Sequence, residues 1–254
     1  MIQNGLHRLF VLLLLLTTIL NACASFKPCP EGDKKKADNN MQLGVEYLRR
    51  GRNDIALDKL KKALNQCANH AEAHHAIAVL YERLGEDDKA KPHYQKALTF
   101  NTQNSDVHNN YGQFLCKQKQ WEEADKHFLE ALKNPTYGTP EIPYTNAGLC
   151  ALHNNNFAKA ETYLRKALQK NSQFPRALYQ MAQLNYEQKN YKQARYYLQR
   201  YTEIANHTPK TLWLGIRIER IFHNQDTEAS YALFLRRNFP DSEETQLLNQ
   251  SETP

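Results

Sequence analysis

The chain has 254 residues, 41% of them hydrophobic, and 33 Lys and Arg against 27 Asp and Glu give a formal net charge of +6. This hydrophobic fraction suffices for a folded core and excludes a disordered chain. The 9 Gly and 10 Pro are too few for a collagen-like or a turn-rich β protein. The positive charge is modest and dispersed, so we expect no nucleic-acid partner.

The first 22 residues have the features of a secretory signal. Arg8 precedes an apolar run from Leu9 to Leu20, which is shorter than the ~20 residues that a membrane-spanning helix needs. The tetrapeptide LNAC, ending at Cys23, resembles the lipobox of bacterial lipoproteins. That resemblance implies cleavage before Cys23 and acylation of this residue, which would anchor the protein in a lipid bilayer. Because Ala24 and not Asp follows, we expect the outer membrane, with the protein facing the periplasm.

Residues 23–36 contain two Pro, one Gly and the run Lys34–Lys36. This composition predicts a flexible, lipidated tether between the anchor and the folded part. The lysines could touch anionic lipid headgroups or could simply be solvated.

A period of 34 residues organises the rest of the chain. An alanine recurs in the second half of each unit and a large apolar residue follows it four positions later. A large–small pair, often ending in Gly, recurs in the first half; since Gly in mid-helix costs about 1 kcal/mol relative to Ala, its recurrence predicts close contact between helices. The alanines are Ala56, Ala90, Ala124, Ala160 and Ala194, the large residues are Leu60, Tyr94, Phe128, Leu164 and Leu198, and the glycines are Gly44, Gly112 and Gly148.

This pattern resembles the tetratricopeptide repeat, a helix–turn–helix unit. The resemblance implies an all-α, right-handed superhelical solenoid of about six repeats. The sixth repeat is weaker: it keeps Gly215, and Ala229 and Leu233 follow the register with a slip of one residue. The predicted repeats are 37–70, 71–104, 105–138, 141–174, 175–208 and 209–242, followed by a frayed polar tail at 243–254.

In tetratricopeptide proteins the first helices line a concave groove that binds partners, and the resemblance transfers this role by repeat position. An alternative for each residue is that it belongs to the core. The residues so predicted to line the groove are Met41, Val45, Leu48, His75, Val79, Asn109, Gln113, Leu149, Tyr179 and Trp213.

No catalytic or metal-binding pattern stands out. The ten His include no HExxH motif, and the chain has no paired CxxC and no Gly-rich phosphate loop. His70 and His74 have the spacing of two metal ligands on one helix face, but a repeat boundary separates them. We therefore expect no enzyme activity, no metal and no cofactor.

Two cysteines, Cys116 and Cys150, fall on the first helices of consecutive repeats. Helices that pack side by side can bring their Cα atoms within the ~4.4–6.8 Å that a disulfide needs, and a secreted compartment favours oxidation. The alternative is two buried thiols. Cys29 in the tether and Cys67 at the end of repeat one could also pair, but little constrains them.

Four segments resemble the type IV pilus biogenesis and stability lipoproteins: the run from Asn109 to Cys116 (NNYGQFLC), PTY at 135–137, the run from Asn146 to Cys150 (NAGLC), and RRNFPDS at 236–242. The resemblance implies a pilotin, which helps the secretin of the type IV pilus to reach the outer membrane and to form its multimer. We expect the protein to be a monomer. The resemblance assigns Cys23 to the lipid anchor, the pair Cys116 and Cys150 to a disulfide, and the groove to the secretin. The alternatives are an adaptor for peptidoglycan synthesis or outer-membrane insertion machinery and, from another class, an envelope hydrolase.

Overall fold

The computed structural model describes residues 28–252. Over that range the chain forms thirteen α-helices and no strand. The prediction of an all-α fold built from tetratricopeptide-type helix pairs is confirmed. The helices are α1 Glu31–Arg49, α2 Asn53–Gln66, α3 Ala71–Arg83, α4 Asp87–Phe100, α5 Ser105–Lys117, α6 Trp121–Ala131, α7 Glu141–His153, α8 Phe157–Lys170, α9 Pro175–Glu187, α10 Tyr191–Thr202, α11 Pro209–Ile221, α12 Gln225–Asn238 and α13 Glu243–Glu252.

The helices form two compact units, divided in the sequence between Asn101 and Thr102. In unit 1, α1 pairs with α2 and α3 with α4, and α3 also packs against both α1 and α2. In unit 2, α5 to α12 form four such pairs, each packed against the next, and α13 packs against α11 and α12. Each unit therefore buries its apolar side chains between neighbouring helix pairs, as repeat proteins do.

The predicted close contact between paired helices is confirmed. A Cβ atom added at Gly44, Gly112, Gly148 or Gly215 would lie between 2.6 and 2.9 Å from a side chain of the second helix of the pair. That side chain is the predicted large residue in the first three cases, namely Leu60, Phe128 and Leu164. All five predicted large residues are at most 4% exposed and all five recurring alanines are 0% exposed.

Replacing Gly112 by Ala tests this packing. The new Cβ would approach the ring of Phe128 to 2.8 Å, and the buried ring has little space to move, so we expect the free energy of unfolding to fall by about 1–3 kcal/mol. Gly32 is the matched control, because it also lies in a helix but has nothing within 4 Å of an added Cβ. Gly32→Ala should leave the denaturation midpoint unchanged or raise it. Equal midpoints for the two variants would contradict the close contact.

The sixth helix pair corrects one detail of the repeat. Leu233, predicted to be the large packed residue, is 67% exposed, and Ala229 is exposed as well. Instead the Tyr231 ring lies against Gly215, and Ala232 and Leu235 are buried. The face of α12 that meets the core is thus rotated relative to the other second helices.

Both predicted flexible ends are partly helical, and these expectations were wrong for the residues described. The tether was predicted to extend to residue 36, but α1 begins at Glu31, where Glu31 and Asp33 favour a helix N-terminus electrostatically. The tail forms α13, in which Leu248 is 0% exposed. A helix of 10 residues is too short to be stable by itself, so contact with α11 and α12 stabilises it. Within residues 28–252, no helix has both the length and the apolar character required to cross a bilayer.

Candidate partner-binding surfaces

In unit 1 the predicted groove residues lie on α1 and α3. Met41, Val45 and Val79 are half-buried and pack against a core cluster that contains Leu60 and Ile77. Part of each side chain stays accessible, so a binding partner could bury the exposed apolar surface of these three residues. His75 is half-buried too, with its ring centroid 6.1 Å from that of Tyr94.

Leu48 is a correction to the predicted groove. It is 7% exposed and belongs to the same core cluster. Its place near the end of α1, beside the apolar face of α3, leaves it no open surface. Leu48 is therefore a core residue.

In unit 2, Asn109 is also a correction, because it is only 5% exposed. Its Oδ1 accepts a hydrogen bond of 2.8 Å from Nδ2 of Asn146, and its own Nδ2 donates to Oδ1 of Asn110 at 3.1 Å. The first bond links α5 to α7, and both satisfy amide atoms of Asn109 that would otherwise be costly to bury. Asn109 thus joins neighbouring repeats.

A cavity of about 670 Å³ opens between the first helices of unit 2. Gln113 and Leu149, two of the predicted groove residues, line it and are half-buried. The same cavity is lined by Cys116, Lys117, Lys119, Trp121, Phe128, Asn146, Cys150, His153, Asn154, Asn155 and Arg176. No Asp or Glu is among these residues, so the charge that faces the cavity is positive.

The far end of unit 2 carries aromatic groove residues. Tyr179 and Trp213 are half-buried. The guanidinium of Arg217 lies 4.6 Å from the ring centroid of Tyr186 and 5.5 Å from that of Trp213. This stacking holds Arg217 by cation–π contacts and presents a cation beside aromatic rings.

Both cysteine pairs lie at disulfide geometry. The Cα atoms of Cys116 and Cys150 are 5.8 Å apart, and the bond joins α5 to α7. Those of Cys29 and Cys67 are 5.7 Å apart, and this bond ties the segment that precedes α1 to the residue that follows α2. The first disulfide lines the cavity of unit 2. Cys23 lies outside the described residues, so its acylation stays a prediction.

Two histidine pairs were missed by the sequence analysis. Nδ1 of His74 lies 2.9 Å from Nδ1 of His93, and Nε2 of His74 lies 3.0 Å from the carbonyl oxygen of Ala68. A carbonyl only accepts, so Nε2 of His74 carries the proton, and His93 must donate to Nδ1 of His74. The same arrangement recurs 34 residues later in unit 2, where His108 contacts His127 and the carbonyl oxygen of Thr102. The 34-residue period of these histidines is the signal in the sequence that could have revealed both pairs.

The surroundings of the second-helix histidines keep both imidazoles neutral. Burial lowers the pKa of His93 to about 4, and the nearby His74 and Lys96 act in the same direction. Burial likewise lowers the pKa of His127 to about 4, assisted by His108. Both second-helix imidazoles are therefore uncharged at neutral pH.

His70 and His74 belong to different structural positions. His70 is the N-cap of α3: its Nδ1 accepts from the backbone N–H of Ala73, and its Nε2 donates to Asp38 at 2.8 Å. His74 lies inside α3. Among the residues that the structure describes, no group of three or more His, Cys, Asp or Glu could hold a metal ion.

Comparisons with known proteins identify the family to which this helical repeat structure belongs. Family profiles described as tetratricopeptide repeat match residues 71–104, 93–126 and 151–210. The chain is 37% identical over 216 residues to the type IV pilus assembly protein PilF of Pseudomonas aeruginosa, which covers 85% of this chain and 86% of that protein.

Two solved structures agree with this relationship. The structure of Pseudomonas aeruginosa PilF is 36% identical, with a TM-score of 0.78 over 87% of this chain and all of that one. PilW, described as a widely conserved type IV pilus biogenesis factor, is 31% identical, with a TM-score of 0.76 over 84% of this chain and 97% of that one. The chain therefore belongs to the tetratricopeptide-repeat family of type IV pilus assembly proteins that includes PilF.

Proposed function

We propose that this protein is a pilotin: an outer-membrane lipoprotein, anchored by acylated Cys23 and facing the periplasm, that promotes outer-membrane targeting and multimerisation of the type IV pilus secretin. As a member of the PilF family, the chain has a role in type IV pilus biogenesis. The stacked helix pairs are a binding scaffold, because such folds present extended surfaces to protein partners.

The observation that carries the proposal is the 37% identity to a type IV pilus assembly protein over 85% of the chain. The lipobox-like tetrapeptide ending at Cys23 supports the anchored location. The half-buried apolar residues Met41, Val45 and Val79 of unit 1 and the cavity of unit 2 supply surfaces on which a partner can dock.

The test is secretin assembly in the native host. Deletion of the gene should abolish the detergent-resistant secretin multimers of the outer membrane, and expression of the wild-type protein should restore them. Cys23→Ser should remove palmitate labelling, move the protein out of the outer-membrane fraction and fail to restore the multimers, because a soluble protein cannot carry the secretin to the membrane. Cys67→Ser is the matched control, since it removes a cysteine of the folded part and should leave labelling intact.

Normal secretin multimers in the deletion strain would overturn the proposal. In that case an affinity pull-down from solubilised outer membrane distinguishes the alternative, because an adaptor for peptidoglycan synthesis or outer-membrane insertion would recover those machineries instead of the secretin.

A further inference from the structure

The cavity of unit 2 has an unbalanced charge. Lys117, Lys119 and Arg176 line it together with His153, and no carboxylate does. Within residues 28–252, neither Lys119 nor Arg176 forms an ion pair with any Asp or Glu. On other surfaces of unit 2, Arg165 pairs with Glu161 and Lys133 with Glu130. The cavity therefore favours a ligand with negative charge.

A second, independent feature is a buried acceptor without a donor. Asn146 lines the cavity and is only 3% exposed. Its Nδ2 is fixed as the donor to Asn109, because Oδ1 of Asn109 can only accept. Oδ1 of Asn146 is then buried with no hydrogen-bond partner among the described residues. A buried carbonyl without a donor costs roughly 1–3 kcal/mol, so a ligand that offers an N–H group to it would recover that energy.

Apolar side chains also line the cavity. Trp121 and Leu149 are half-buried there, beside the Cys116–Cys150 disulfide. Cationic groups, a buried amide acceptor and an indole together match a polypeptide that has carboxylate side chains and free backbone N–H groups. An anionic lipid headgroup fits less well, because a headgroup phosphate has no N–H for Asn146.

We propose that this cavity binds an extended acidic segment of a partner protein, with its carboxylates at Lys119 and Arg176 and a backbone N–H at Oδ1 of Asn146. Two acids, Glu122 and Asp125, line an adjoining cleft with Trp121, but neither lines this cavity. The carboxylate of Asp125 already accepts from Tyr163 at 2.7 Å and pairs with Lys159 at 2.9 Å. The proposal rests on the proposed function only in that the ligand belongs to a protein partner.

The test uses the full chain, purified in detergent, and three fluorescein-labelled decapeptides in which Thr alternates with Glu, Gln or Lys. Fluorescence anisotropy should show saturable binding of the Glu peptide, at least ten-fold weaker binding of the Gln peptide and none of the Lys peptide. The cavity variant combines Lys119→Asn with Arg176→Ala. Both side chains are exposed, and Asn suits the left-handed backbone of Lys119 at φ 58°. The matched control combines Lys126→Asn with Arg237→Ala, exposed residues outside the cavity.

The cavity variant should weaken binding of the Glu peptide at least ten-fold and the control less than two-fold, with unchanged melting temperatures. Asn146→Leu should weaken the Glu and Gln peptides by the same factor, because it acts on the backbone and not on charge. Equal affinity for the Glu and Gln peptides, or equal loss in the cavity variant and the control, would overturn the proposal. Binding to phosphatidylglycerol vesicles that is lost in the cavity variant, without peptide binding, would also overturn it. These titrations contain no secretin, so their outcome is independent of the secretin assembly test. Peptide binding can be absent although the secretin assembles normally, and peptide binding can be present although secretin assembly does not depend on this protein.

Discussion

Removal of the Cys116–Cys150 disulfide is expected to cost the protein about 2–4 kcal/mol of its free energy of unfolding. The bond closes a loop of sequence separation 34, and in the chain-entropy model such a cross-link acts mainly by restricting the unfolded chain. It joins α5 to α7, which are separated in sequence by α6 and by the long connection at 132–140. Without the bond, only non-covalent contacts between neighbouring helices would hold these two repeats together.

The measurement is thermal and chemical unfolding of Cys116→Ser, Cys150→Ser and the double variant. Each should melt several degrees below the wild type and be cleaved first by protease near 132–140. Reductant should lower the melting temperature of the wild type by breaking both disulfides. In the double variant it can break only the Cys29–Cys67 bond, so the melting temperature should fall less. Two free thiols at Cys116 and Cys150 in protein isolated from the periplasmic side would contradict the prediction.

Acidification from pH 6.5 to pH 4 is expected to destabilise both units through the histidine pairs. The pKa values of His93 and His127 are about 4 in the folded protein against 6.5 for an unperturbed imidazole. The unfolded chain therefore binds more protons between these values. This contribution to stability is fully present above pH 6.5 and is lost as the pH falls toward 4, by roughly 1–3 kcal/mol for each pair after allowance for solvent screening.

The groups around each pair decide the size of this effect. Burial is the main cause in both. In unit 1 the first-helix His74 and the cation of Lys96 add to it, and the ring of Tyr81 packs against His93. In unit 2 the ring of Tyr111 packs against His127, and His108 lowers its pKa while Glu123 and Glu130 oppose the shift.

A pair of glutamine substitutions tests this mechanism. The double variant His93→Gln, His127→Gln keeps an N–H that can donate to Nδ1 of His74 and His108 but cannot be protonated near neutral pH. Its unfolding free energy should change much less between pH 6.5 and 4 than that of the wild type. His153→Gln, at an exposed position outside both pairs, should retain the wild-type pH dependence. A double variant with the same pH profile as the wild type would refute a role for the pairs.

The local pattern of the sequence determined the repeats themselves. Small residues such as Ala56 and Gly112 and large residues such as Phe128 recur at fixed spacing because the two helices of each repeat pack against each other in the same way. The periodicity could therefore predict which faces pack, and α3, α5, α7, α9 and α11 begin at the first residues of their predicted repeats. The same period placed Cys116 and Cys150, which are 34 residues apart, on neighbouring first helices.

Only the tertiary structure decided what depends on a particular neighbour. Leu48 and Asn109 hold groove positions by register, but the helices beside them bury both. The polar tail becomes α13 because Leu248 finds a site against other helices, a contact that its own composition does not encode. The histidine pairs and the unpartnered oxygen of Asn146 arise where side chains from different helices meet. Periodicity specifies a repeated contact, whereas burial, charge balance and hydrogen bonding at one position depend on the side chains that surround it.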